Sequence, residues 1–222
     1  MNKSNYFAII ILVILFVISL LAYFYLPDVV PSHWDINGNV NGHSSKLLAV
    51  LLMPIMSGIL FLLLYFLPRF DPLKENYKYF QKYYDGFVLT FLLFMLYMQL
   101  LIIVFGLGKT FNFGVAIIPG FFFLFFYLGV MLKHTKRNYF VGIRTPWTLN
   151  SDENWNKTHI FGSNLFIISA FIALLGLIFQ KLCFFLLIIP IIISAIIIVI
   201  YSYYIYKAEK RIKKSKEKNK RG

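Results

Sequence analysis

The fold class this sequence predicts is an all-α integral membrane protein with six transmembrane helices and both termini cytoplasmic. Three observations predict it. The 222 residues are 59% hydrophobic and 14% charged, where soluble domains carry roughly 25% charged residues. Six apolar runs lie near 6–26, 47–67, 87–107, 114–132, 163–180 and 184–206, each close to the ~20 residues that cross a hydrocarbon core about 30 Å thick. Basic residues are unevenly divided between alternate loops. With the N-terminus inside, nineteen of the 22 Lys and Arg fall on the inner side and only Lys46, Lys109 and Lys181 on the outer, the asymmetry that orients membrane proteins.

The first run follows Lys3 and is too long for the apolar stretch of a signal peptide. No small-residue cleavage site follows it, only Tyr23-Phe24-Tyr25-Leu26-Pro27, so it reads as a retained helix. The outer loop after it is PDVVPSHWDINGNVNGHSSK. Asp35, Asn37-Gly38 and Asn41-Gly42 are turn formers, which predicts a compact loop pinned at the membrane interface by Trp34, with Ser44 or Ser45 as N-cap of the second helix. Residues 68–84 are basic and Tyr-rich without a motif, and are expected to lie along the headgroups. Pro54, Pro119 and Pro190 fall inside apolar runs as kink points. The fifth run is the shortest and turns tightly into the sixth, which predicts a helical hairpin.

The longest polar interval runs from Asn138 to His159, NYFVGIRTPWTLNSDENWNKTH. Gly142 to Pro146 reads as a folded turn in which Pro146 holds Thr145 extended. Asn150 and Glu153 stand at capping-box spacing. They predict a helix on which Trp155 and His159, one turn apart, share a face, crossing the cytoplasmic surface and bending at Gly162 into the fifth span. Arg144 is a fixed cation with five donors. It either pairs with Asp152 or Glu153 or engages a partner's carboxylate or phosphate. Trp147 and Trp155 read as interface anchors ahead of ligand contacts.

Several function classes are excluded. The histidines fall in pairs on opposite sides, His33 and His43 outside, His134 and His159 inside, and there is no HExxH helix. His33, Asp35 and His43 are the one constellation that could gather a cation; a hydrogen-bonded loop histidine beside Trp34 is the stronger reading, so no metal is expected. There is no GxSxG and no Gly-rich phosphate loop, hence no enzyme and no cofactor. Charges inside a membrane mark substrate paths, yet Gln99 stands alone at mid-depth, which argues against an ion-coupled carrier. A transporter-like or envelope-maintenance protein remains as the alternative. The single Cys183 allows no intrachain disulfide. Nine of the basic residues crowd into 207–222, a tail suited to anionic lipid headgroups and lacking the aromatic pattern that reads bases.

PDVVPSHWDINGNVNGHSSK resembles the signature of a small membrane domain found at the N-terminus of SdpI-type proteins. Asn138-Tyr139-Phe140-Val141-Gly142-Ile143-Arg144-Thr145-Pro146-Trp147-Thr148-Leu149, followed by Asn154-Trp155-Asn156-Lys157-Thr158-His159, resembles the signature of the SdpI family itself. That family takes its name from a bacterial immunity protein against a secreted killing peptide, the sporulation-delaying toxin. The resemblance implies a multi-pass plasma-membrane protein that meets a peptide toxin outside and holds a small transcriptional repressor inside. It implies a two-helix domain over 1–67, a four-helix domain over 68–206 and a basic tail over 207–222. Candidate ligand residues are His33, Trp34, Asp35, Asn37 and Gly38 in the outer loop. Candidate partner residues in the inner loop are Asn138, Gly142, Arg144, Thr145, Pro146, Trp147, Thr148, Trp155 and His159.

Overall fold

The computed structural model describes residues 3–219. Residues 1–2 and 220–222, the outer ends of the N-terminal segment and of the basic tail, lie outside the described residues. Six helices are long and apolar enough to cross a membrane. α1 (Lys3–Tyr23) buries Ala8, Leu15, Ser19 and Ala22 along one stripe and turns its other, equally apolar side outward. Three of those four residues are small, which lets helix backbones approach where lipid supplies no hydrophobic drive.

A β-hairpin follows, β1 (Val29–Trp34) paired antiparallel with β2 (Val40–Ser45). The all-α expectation is corrected here: the outer loop is a two-stranded sheet. Its alternation is hidden by polar residues on both faces, with register irregularities on either side of His33. α2 (Lys46–Phe70) starts at Ser45, whose hydroxyl accepts from the Leu48 amide at 3.3 Å, as the sequence predicted. A 3₁₀ turn (Lys74–Tyr79) leads to α3 (Gln81–Gly106). α3 begins six residues before its apolar run, because Gln81 to Asp85 are helix-compatible although polar, and Gln81 Nε2 donates to Asp85 Oδ1 at 2.7 Å.

The fourth span is two helices, α4 (Phe113–Ala116) and α5 (Ile118–His134). Pro119 sits in the first turn of α5, where its missing N–H is harmless, so it starts a helix where a kink was expected. After α6 (Pro146–Asn150), α7 (Asp152–Leu174) runs unbroken through Gly162. The surface helix bending at Gly162 does not exist. Gly162 is a contact glycine: a Cβ there would stand 2.8 Å from Ile143 Cδ1. Nor does Asn150 cap α7, because it ends α6. Ser151 takes that place, accepting from the Asn154 amide at 3.1 Å.

Two 3₁₀ turns, Leu175–Leu177 and Gln180–Leu182, close the predicted helical hairpin between α7 and α8 (Cys183–Asn219). With 37 residues, α8 is about 55 Å long at 1.5 Å per residue, far more than a bilayer core. The basic tail is therefore a continuation of the last spanning helix, at least to Asn219. α1, α2 and α3 pack together, α5, α7 and α8 pack together, and α3 on α5 joins the two sets. The hairpin and the loops at 107–112 and 175–182 share one end of the bundle. The start of α1, the end of α8, the 3₁₀ turn Lys74–Tyr79 and the 135–151 loop share the other.

Candidate functional site

At the hairpin end, Asp35 builds the turn. Its Oδ1 accepts from the amides of Asn37 at 2.8 Å and Asn39 at 2.9 Å, and Gly38 takes φ +84°, which suits glycine. The Asn39 amide, first among these donors, holds the Asp35 carboxyl below its ordinary value. Asp28 is held low by its hydrogen bond with Lys46, at 2.8 Å. Trp34 does not float at a lipid interface. Its ring stacks on Phe113 at 3.6 Å and 6° and meets Phe105 edge-on at 5.4 Å. Such pairs are worth about 0.5–1.5 kcal/mol beyond their buried area, and they fasten the hairpin to α3 and α4.

Beneath the hairpin lies a cavity of ≈ 670 Å³. Ser32, His33, Trp34, Asp35, Ile36 and Asn41 form its hairpin wall, and Met53, Met98, Ile102, Phe113 and Leu187 are among its helix walls. Of the outer candidates, His33, Trp34 and Asp35 therefore meet at one space. Asn37 and Gly38 do not: they form the turn, and a Cβ on Gly38 would stand 2.6 Å from Asn112 Oδ1. His33 Nδ1 lies 2.5 Å from Asn41 Oδ1. Among the described residues no three His, Cys, Asp or Glu side chains gather as for a metal.

The other end is a cap of polar side chains turned inward. Asn138, fully buried, accepts at Oδ1 from the amides of Phe140 at 2.9 Å and Val141 at 2.6 Å and donates to the Val141 carbonyl at 2.9 Å. The Tyr77 hydroxyl lies 3.2 Å from that Oδ1 and 3.3 Å from Asp71 Oδ2. Burial is the first cause that pushes this hydroxyl's pKa up. Asp71 Oδ2 also accepts from the Tyr139 amide at 2.9 Å. The basic loop expected to lie on headgroups is thus half of the cap.

Gly142 has φ +113° and passes against His159 and Trp155. The Ile143 amide donates to His159 Nε2 at 2.9 Å while Nδ1 faces the Trp155 carbonyl at 2.8 Å. An amide can only donate and a carbonyl only accept, so His159 is the neutral, Nδ1-protonated tautomer. Thr145 and Thr148 form a capping box at the start of α6, with Pro146 as its first residue. Trp147 Nε1 donates to Ser202 Oγ at 2.6 Å, and Trp155 Nε1 donates to the Thr135 carbonyl at 2.9 Å.

Each of these tryptophans ties the cap to the rest of the protein, Trp155 from full burial and Trp147 from a half-buried position. Arg144 does not pair with Asp152 or Glu153. Arg137 lies 2.9 Å from Asp152, and Lys157 salt-bridges Glu153. Arg144 is exposed, with Nη1 donating to the Tyr139 carbonyl at 2.6 Å. Asp71, Tyr77 and Asn76, whose Nδ2 donates to the Arg137 carbonyl at 2.7 Å, carry no motif in the sequence. Asp71, an acid in a basic loop, was the available signal, but the partners of these residues lie some 60 residues on. Phe113, the platform for Trp34, carries no motif either.

Comparison with known proteins follows these two ends. Residues 134–202 match the SdpI/YfhL protein family. This segment holds the half of the cap that runs from the end of α5 to Ser202 in α8. Residues 10–58 match a domain of unknown function, DUF1648, a segment that runs from within α1 through the hairpin to the middle of α2. Over 206 residues the chain is 27% identical to the immunity protein SdpI of Bacillus subtilis (strain 168), covering 92% of this chain and 97% of that protein. No solved structure matches the chain.

Proposed function

We propose that this chain is an immunity protein of the bacterial plasma membrane that protects against a secreted antimicrobial peptide, meeting it at the hairpin end. The observation that carries the reading is the cavity under the hairpin, where His33, Trp34 and Asp35 meet apolar walls from several helices. Similarity to a protein named for immunity along nearly its whole length supports it. The hairpin faces outward and both termini face the cytoplasm, an orientation supported by the nineteen-to-three division of basic residues. The cap is then cytoplasmic. Arg144 beside the exposed rings of Tyr139 and Phe140 offers a cation with an aromatic margin to an inner partner, a small transcriptional repressor, which makes the protein a sensor as well.

The test is survival. A sensitive bacterium expressing the chain is challenged with a panel of membrane-active peptides, including the sporulation-delaying one. Selective protection against one peptide, lost in Trp34→Ala at equal membrane abundance, is the expected result. Equal killing with and without the protein in the membrane ends the immunity reading.

A further inference from the structure

We infer that the chamber beneath the hairpin binds a peptide segment in which a large apolar side chain stands next to a cation. This rests on the immunity reading and names the chemistry its site selects. Three features of the chamber point there. First, its polarity is one-sided. Ser32, His33, Asp35 and Asn41 all belong to the hairpin wall, whereas the helices contribute Met53, Met98, Ile102 and Leu187. A ligand that fills it has an apolar body and a polar end, and the end lies at the hairpin.

Second, the charge on that wall is negative. Asp35 is the one carboxylate there, and the turn amides of Asn39 and Asn37 keep it ionised. Accepting those amides fixes the position of the carboxylate without neutralising it. Asp28, the other acid of the hairpin segment, is already matched by Lys46 at 2.8 Å, so the unmatched negative charge sits at the chamber mouth. Trp34 on the hairpin wall and Phe113 on the adjoining helix wall, stacked at 3.6 Å, add π faces that also favour a cation.

Third, the size fits more than one side chain. A volume of ≈ 670 Å³ lies within the roughly 300–1,000 Å³ of sites that enclose drug-sized ligands. The unbranched, polarizable Met53 and Met98 can refit around different apolar shapes. The site thus selects for a cation beside bulk, not for one fixed sequence.

The experiment uses the full chain in lipid nanodiscs and reads Trp34 fluorescence. Trp147 and Trp155 lie at the opposite end of the bundle, so Trp34→Phe isolates the signal. The probe is a short peptide amide carrying one bromophenylalanine, a contact quencher, flanked by two lysines. Companion peptides carry two glutamines or two glutamates in place of the lysines, and brominated dodecylamine serves as a lipid-like arm. Saturable quenching by the lysine peptide is expected, about tenfold weaker for the glutamine peptide or in Asp35→Asn. It should vanish in a chamber-filling Met53→Phe/Met98→Phe variant. Asp35→Asn keeps an acceptor oxygen for the turn, so it answers the question even if the filled variant does not fold.

Quenching that is equal for all three peptides, or that rises without saturation, overturns the inference, as does saturable quenching by dodecylamine alone. The two readings fail separately. Peptide binding without protection sinks immunity and keeps the chamber; protection without peptide binding at Trp34 sinks the chamber and keeps immunity.

Discussion

The two ends of the bundle treat the same residue types in opposite ways. In the cap, almost every polar side chain of the conspicuous sequence stretch is spent on the protein itself: Asn138 on backbone amides, Thr148 on Thr145 and Ile143, Trp155 on Thr135, His159 on Ile143 and Trp155. At the hairpin, polar side chains are fixed by short local bonds and still border a large apolar space. A dense motif can therefore mark a loop that must be built rigidly, while a plainer loop borders the space a ligand can enter. In the cap, removing a side chain leaves buried partners without theirs; at the hairpin it removes a wall.

The largest effect should come from Trp155→Ala. Its side chain is fully buried and bonded to Thr135, and such truncations cost about 3–5 kcal/mol. We expect loss of folded protein, read as a collapse in monodisperse yield and midpoint of thermal unfolding. A stable Trp155→Ala protein would show that the cap is not the rigid end. Gly142→Ala comes next. It forces a side chain onto φ +113° beside His159, and strain of this kind costs about 1–3 kcal/mol. The same unfolding assay should show a smaller drop, with the hairpin's Trp34 emission unchanged.

Trp34→Ala sharpens the contrast from the other side. It should reduce stability only modestly, by the ring pairs with Phe113 and Phe105, yet abolish protection in the survival assay. Arg144→Ala should leave stability within about 0.5 kcal/mol, as for exposed sites away from special features. It is the clean test of the proposed contact with an inner partner, to be read by reporter expression at normal membrane abundance. The smallest effect is a pH dependence. Asp35 is held below its ordinary carboxylate value, so its contribution to the turn is present above the unfolded pKa of about 3.9. It is lost as pH falls through the lower folded value. Trp34 emission should stay constant down to about pH 4 and change below it, and Asp35→Asn should remove that transition.

Much of this was legible in the chain. The six spans, the Ser45 cap, the turn at Gly38 and the extended Thr145 before Pro146 all rest on signals within a few residues, where local chemistry decides. The hairpin strands were not, because polar residues on both faces erase the period-two pattern. Gly162 misled because glycine signals both bends and close contacts, and only the neighbours Ile143 and Ile198 tell which. The chamber is assembled from the hairpin and four separate helical stretches, and the Asp71–Tyr77–Asn138 group joins loops far apart in sequence. No window along the chain contains either.

One consequence of α8 remains. The same uninterrupted helix places Leu187 in the chamber wall and Ser202 under Trp147 and Asn154 in the cap, about 22 Å apart at 1.5 Å per residue. One helix thus contributes to the chamber at one end and to the cap at the other. Pro190 removes one rung of backbone bonding between them and is the natural place for the helix to bow. The chamber wall and the Trp147 contact are therefore set by one helix, and their separation along it is fixed by its backbone alone.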